Sequence, residues 1–212
     1  MTFDYELIRT RRKTFSVAVS SDNKITVRCP LRASVREVES FLECKSGWIE
    51  SRIKKNKLCA EEFADVINYD KILVKGERYN LRFGGVNYIG RAEVGVKSFA
   101  CLKKVFVGFL GGEFEDRFNK LSTEIGLKAS GTTFKDYKSR WGCCDRFGKI
   151  TFNYKLLMLP EDVQNYVIVH ELCHTLHMNH SKKFYSAVES AMPYYRSYAN
   201  ILKKYAFIAR LY

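Results

Sequence analysis

All four histidines of the chain lie within eleven positions of one another. They are His170, His174, His177 and His180. On a helix, His170 and His174 are four residues apart, so their imidazoles project from one face about one turn apart and could bind one cation. Glu171 lies at the flank of that face, where its carboxylate can reach a water on the cation rather than the cation itself.

The spacing His-Glu-x-x-His is typical of zinc hydrolases in which the glutamate is the general base. A catalytic zinc takes three protein ligands and keeps a fourth position open. We expect His180 as the third ligand, because Asn179 could end the helix and turn the chain back toward the metal. Glu189 is the alternative third ligand. His177 lies a further turn along the helix, where it would contact water or substrate rather than the metal.

The elements that position these residues can be predicted from periodicity. Pro160 favours a helix start with acidic residues in its first turn, and this helix carries the histidines. Upstream, residues 132–141 and 150–156 alternate around a turn-rich stretch and predict a hairpin. Residues 113–128 have helical spacing, whereas residues 72–110 are strand-like and punctuated by glycines.

The first part of the chain predicts a hairpin followed by a long helix. Residues 15–19 and 25–27 alternate around polar turn residues. Ser34 and Glu37 form a capping-box pattern that begins a helix ending near Lys57. We therefore expect an α+β protein with a β-rich N-terminal region with one long helix, residues 1–110, and a metal-binding region, residues 111–212, or one continuous domain.

Composition bounds the class of protein. The net charge of +13 favours an anionic partner, which includes nucleic acid, nucleotide phosphates or an acidic protein surface. No apolar run is long enough to span a membrane, and the N-terminal residues lack the pattern of a secretory signal. Seven cysteines without a Cys-x-x-Cys pair fit reduced thiols. We therefore expect a cytoplasmic protein that does not bind membranes.

Several segments together resemble the YgjP-like metallopeptidase-domain family, bacterial zincins related to SprT-like proteins. The segments that carry the resemblance are residues 9–14, residues 27–30, Ser139-Arg140-Trp141-Gly142, Ile150-Thr151-Phe152-Asn153, and residues 166–180 with Ser181 and Phe184. The family usually has Ser-Cys after Arg-Trp-Gly, whereas this chain has Cys143-Cys144.

The resemblance implies a zincin-like C-terminal part with an active-site helix that carries the His-Glu-x-x-His motif. It also implies His170, His174 and His180 as Zn²⁺ ligands and Glu171 as the catalytic acid and base. Arg140, on the preceding strand, could contact a substrate or stabilise an oxyanion by paired donors.

Three functions remain open at this stage. The first is a zinc metallopeptidase, in which Glu171 activates a zinc-bound water for attack on a peptide carbonyl. The second, a name that family members also carry, is a metal-dependent nucleoside triphosphate (UTP) pyrophosphatase. The third is a non-catalytic nucleic-acid-binding domain with a residual metal site, whose basic surface would bind the polyanion. The expected partners are accordingly a peptide or protein, a nucleotide, or a nucleic acid.

Overall fold

A computed structural model describes residues 3–212 and divides the chain into two compact units, Met1–Ala64 and Asp65–Tyr212. The first unit is a three-stranded sheet with one helix. Its elements are β1 (Tyr5–Thr10), β2 (Ser16–Val19), β3 (Ile25–Pro30) and α1 (Val35–Glu62). The strand order is β1-β3-β2, with β1 parallel and β2 antiparallel to β3, so the predicted hairpin is confirmed.

The first unit has its own core, in which α1 contributes one apolar stripe. Val38, Leu42 and Ile49 of α1 are buried together with Val27 of β3. The Ser34 hydroxyl accepts from the Glu37 amide and the Glu37 carboxylate accepts from the Ser34 amide, so the predicted capping box is present. The helix continues past the predicted end near Lys57 to Glu62.

The second unit begins after Ala64 and contains two further sheets. Its strands are β4 (Lys71–Val74), β5 (Glu77–Phe83), β6 (Tyr88–Ile89), β7 (Glu93–Val96), β8 (Gly131–Lys135), β9 (Gly142–Cys144) and β10 (Lys149–Asn153). The sheet orders are β4-β5-β7-β6 and β8-β10-β9. Only β9 forms a hairpin with β10; β8 runs parallel to β10, so residues 131–135 do not form the antiparallel arm that the sequence predicted.

The second unit also contains helices, and three of them, residues 102–125, 182–191 and 195–204, pack against the helix that carries His170. They are α2 (Ala64–Ile67, at the unit boundary), α3 (Leu102–Ile125), α4 (Glu161–Cys173), α5 (Lys182–Ala191) and α6 (Tyr195–Lys204). Short 3₁₀ turns lie at Phe99–Cys101, Tyr154–Met158 and Tyr205–Phe207. None of the described helices is long and apolar enough to cross a membrane.

Residues 102–110 belong to helix α3, so the strand-like structure predicted for them is wrong. The helix begins eleven residues before the predicted start at 113, and the predicted boundary between residues 110 and 111 lies inside it. The glycines here suggested turns, but Gly111 is buried on a helix face next to Val107 and Phe134. The helix ends at Gly126, whose φ of 74° suits a left-handed cap.

The fold is a mixture of helices and strands throughout. The described part of residues 1–110 contains strands β1 to β7, but also the 28 residues of α1 and the beginning of α3, so this half is mixed rather than β-rich. Aromatic rings form part of the core of the second unit: Phe114 lies 5.0 Å from Phe152 of β10, ring centre to ring centre. Helix α4 packs against α3, α5, α6 and β9 and is buried on nearly all sides, which fixes the side chains at its C-terminal end.

Candidate metal centre

Three histidine side chains meet at the end of α4. One ring nitrogen each from His170, His174 and His180 lies within 4.8 Å of the others, and the described residues show no other group of His, Cys, Asp or Glu that could hold a metal ion. The Nε2 atoms of His170 and His180 are 3.1 Å apart. Ligand nitrogens about 2.0 Å from one tetrahedral zinc are separated by about 3.3 Å, so this spacing fits ligands of a single ion.

Helix α4 ends earlier than the sequence predicted. Its last residue is Cys173, and His174 caps it in right-handed helical geometry. Asn179, which we expected to end the helix, lies six residues beyond Cys173 and does not have a positive φ. The chain turns back after His174, and His180 directly precedes Ser181, the N-cap of α5.

The side chain of His177 does not join the other three. Instead its main-chain carbonyl oxygen accepts a hydrogen bond from Nδ1 of His174 at 2.9 Å. A proton on Nδ1 leaves Nε2 of His174 with a free lone pair, which is the tautomer that a metal requires. His177 therefore orients a neighbouring imidazole through its backbone.

Phe184 is also part of this site, although the sequence patterns assigned it no role there. It is fully buried on α5, and its ring centre lies 4.4 Å from that of His174, 4.9 Å from that of His170 and 4.8 Å from that of His180. One aromatic ring thus contacts all three imidazoles. The Ser181 hydroxyl accepts from the Phe184 amide, so the cap of α5 positions Phe184 and His180 together.

The alternative third ligand lies elsewhere. Glu189 is on α5, and its carboxylate pairs with Arg196 at 3.5 Å rather than with the histidines. The geometry therefore favours His180 over Glu189.

The protonation of the imidazoles suits metal binding. Burial, together with the charges of His174 and His180, lowers the pKa of His170 to about 4. Burial also lowers the pKa of His174, although the hydrogen bond to His177 opposes this shift. Both rings are therefore neutral near pH 7, with lone pairs available to a cation.

Glu171 lies beside the histidines in a buried position. Its side chain is 5% exposed, and its Oε2 atom has no hydrogen-bond partner among the described residues. Burial raises the pKa of Glu171 to about 7, although the positive charge of Arg140 acts to lower it. A buried carboxylate without a partner is costly for folding, which makes this atom a candidate for contact with a ligand.

Gly142 lies in close contact with the side chain of Glu171. A Cβ atom on residue 142 would lie 2.7 Å from Cγ and Oε1 of Glu171. Glycine is therefore the residue that lets β9 approach the carboxylate. The sequence offered no signal for this role beyond the position of Gly142 next to Arg140 and Trp141.

A cavity of about 270 Å³ opens over these groups. Its lining combines the three histidines and Glu171 with residues of β9 and its approach, and the set is Arg140, Gly142, Cys143, Cys144, His170, Glu171, His174, Met178 and His180. Burial and the charge of Glu171 raise the pKa of Cys144 to about 11, so this thiol stays protonated. Arg140 precedes β9 in a connecting segment rather than lying on the predicted strand.

Three convergent imidazole nitrogens beside a buried carboxylate form a candidate metal centre. The chain belongs to the YgjP-like, metallopeptidase domain family, whose model matches residues 13–205. The family supports a metal-dependent peptidase and a divalent metal. It gives no support to the nucleic-acid partner that the net charge suggested.

Two solved structures are similar to part of the chain. The metallopeptidase zymogen abylysin of Pyrococcus abyssi is 23% identical with a TM-score of 0.39, over 43% of this chain and 93% of that one. The metallopeptidase zymogen jannalysin of Methanocaldococcus jannaschii is 19% identical with a TM-score of 0.38, over 43% and 95%. Similarities this low do not establish a shared activity. No curated protein sequence matches the chain.

Proposed function

We propose that this protein is a zinc-dependent metallopeptidase in which Glu171 transfers protons during hydrolysis of a peptide bond. The observation that carries the proposal is the unpaired Oε2 of Glu171, buried beside three convergent imidazoles. Membership of a metallopeptidase family supports the same conclusion.

His170, His174 and His180 would hold the cation. Their donor atoms all lie within 4.8 Å of one another, and a set of three nitrogens is typical of catalytic rather than structural zinc sites. When bound, the cation supplies Lewis acidity, which polarises a carbonyl group and makes a water molecule more acidic.

Glu171 moves the proton. Its carboxylate takes a proton from water while the water oxygen forms a bond to the peptide carbonyl carbon. Glu171 then gives this proton to the amide nitrogen as the carbon–nitrogen bond breaks, which releases an amine and a carboxylic acid; the acid passes its proton to the amine, and the products are a carboxylate and an ammonium group. A pKa of about 7 suits both steps, because the group can accept and return a proton near neutral pH.

A second candidate function is hydrolysis of nucleoside triphosphates. It is favoured by Arg140, a cation that lines the same cavity and could bind a phosphate. In this reaction Glu171 would deprotonate water for attack on phosphorus instead of on carbon.

Product analysis separates these functions. Zinc-loaded wild type, Glu171→Gln and Glu189→Gln are incubated with an unfolded protein and, separately, with nucleoside triphosphates. We expect new peptide termini with wild type and Glu189→Gln, and none with Glu171→Gln. Glu189→Gln is a matched control, since it removes an exposed carboxylate that pairs with Arg196. Glu171-dependent release of pyrophosphate without peptide cleavage would instead support the second candidate, and neither product would contradict both.

A further inference from the structure

Arg140 presents a cation to the cavity. Its side chain is exposed and forms no ion pair among the described residues. The guanidinium lies 5.6 Å from the ring centre of Tyr137.

A buried asparagine holds the backbone around Arg140 by hydrogen bonds. Asn153 is fully buried, and its Nδ2 donates to the carbonyl oxygens of Tyr137 at 2.7 Å and Arg140 at 3.0 Å. Its own amide donates to the Trp141 carbonyl at 2.8 Å. Three hydrogen bonds thus fix the backbone of the Tyr137–Trp141 segment, which carries Arg140 at the edge of the cavity.

A single guanidinium in the lining points to a ligand group with one negative charge. Among the described residues that line the cavity, Arg140 is the only lysine or arginine. A carboxylate matches the guanidinium in charge and in its two-pronged geometry.

Resting on the proposed peptidase function, we propose that Arg140 forms a carboxylate subsite that makes the enzyme prefer peptides with a carboxylate next to the scissile bond. The carboxylate can come from an aspartate or glutamate side chain or from the free C-terminus of the substrate. Both sources present the same group to Arg140. The contact would determine which substrates are preferred and would not add a chemical step.

Paired peptides test this subsite. One pair differs by glutamate or glutamine beside the scissile bond, and a second pair by a free or amidated C-terminus. We expect wild type to favour the carboxylate member of at least one pair by about tenfold in kcat/KM, mainly through KM. The pair that shows the preference identifies the source of the carboxylate. Arg140→Gln should reduce the ratio to about 1, while Arg140→Lys should retain part of it.

Arg146→Gln is the matched control. Arg146 is also exposed and also lies over an aromatic ring, 4.7 Å from the centre of Phe147, but it is outside the cavity lining. We expect this variant to keep the wild-type ratio. A second measurement uses Glu171→Gln, which removes turnover, to compare binding of the paired peptides with and without Arg140→Gln; the preference should appear in the dissociation constants.

The outcomes separate this proposal from the peptidase proposal. Glu171-dependent cleavage of both members of each pair at equal efficiency would overturn the subsite and leave the peptidase proposal intact. A uniform fall in kcat for Arg140→Gln, with the wild-type ratio unchanged, would also overturn the subsite, because it indicates stabilisation of an oxyanion. Absence of any Glu171-dependent cleavage would overturn both.

Discussion

The two ends of α4 are held in opposite ways. At the first end, Glu161 pairs with Lys75 at 3.0 Å and with Arg117 at 2.7 Å, and Pro160 packs on Gly76. At the last end, Glu171 is buried with Oε2 unpaired. The imidazoles there contact one another and Phe184.

This difference separates stability from function along one helix. Polar groups with partners at the first end stabilise the position of α4, whereas an unpaired buried carboxylate lowers stability and is available to a ligand. We therefore expect substitutions at the first end to change the free energy of unfolding, and substitutions at the last end to change metal binding or turnover. The predictions below test that division.

Loss of an imidazole should have the largest effect. We expect His174→Ala to weaken zinc binding by more than about 100-fold, because even the loss of an outer partner of a ligand costs 10- to 100-fold. Competition with a chromophoric chelator measures the affinity. His177→Ala is the control: it keeps the carbonyl that His174 contacts, so its affinity should remain within a few-fold of wild type. Equal losses in the two variants would contradict the proposed ligand set.

Displacement of the Glu171 carboxylate should have the next largest effect. In Gly142→Ala the new methyl group would occupy the space of Glu171 Cγ and Oε1, so we expect turnover to fall by about 100-fold with zinc content retained. Steady-state kinetics and metal analysis check both parts. Gly84→Ala is the control, since nothing lies within 4 Å of a Cβ there. Unchanged turnover in Gly142→Ala would show that the contact does not set the position of Glu171.

The first end of α4 should respond in stability instead. Gly76 has a φ of 91°, and a Cβ there would lie 2.7 Å from Cγ of Pro160. We expect Gly76→Ala to lower the free energy of unfolding by about 3 kcal/mol, from backbone strain and overpacking. Urea denaturation of the zinc-free protein measures this. Gly126→Ala has the strain (φ 74°) without the contact and should cost about 1 kcal/mol. If both substitutions lowered the free energy of unfolding by the same amount, the contact with Pro160 would not contribute to the cost at Gly76.

The smallest effect concerns the ion pairs at Glu161. The hydrogen bond from Lys75 and the charge of Arg117 hold the pKa of Glu161 below its usual value, while burial opposes them. The folded state therefore binds this proton less readily than the unfolded state. The stabilisation is present above the unfolded pKa and is lost as pH falls through the lowered one.

We expect Glu161→Gln to lower stability at pH 7 by less than about 1 kcal/mol, since the Glu161 side chain is 43% exposed, and to flatten the decline in acid. Denaturation at several pH values below neutral checks the slope. Glu115→Gln, at an exposed site on α3, is the control and should follow the wild-type curve. If the stability of Glu161→Gln declined in acid as steeply as that of wild type, Glu161 would not be the group that causes the decline.

Local signals predicted a large part of the site, and long-range contacts account for the rest. The spacing of His170, Glu171 and His174 places them together because helix periodicity is local. Gly142 and Phe184 reach the same site from β9 and α5, and nothing in their own neighbourhood indicates which carboxylate or imidazole they will meet.

The same reason explains the errors in the fold. The capping box of α1 and the β2–β3 hairpin depend on nearby residues and were predicted correctly. The parallel pairing of β8 with β10 joins residues 18 positions apart in the sequence, which local signals do not indicate, and glycines within α3 resembled turn signals. Tertiary packing overrides such local signals.

The proposed function requires that Glu171 transfers protons during hydrolysis while the three histidines bind the metal. Its most direct test is to measure zinc content and the single-turnover rate of peptide cleavage in the same preparation of Glu171→Gln. We predict one zinc per chain and a rate lower by about a thousandfold, the scale of a lost general base. Full zinc content with a wild-type rate would contradict the assignment of Glu171.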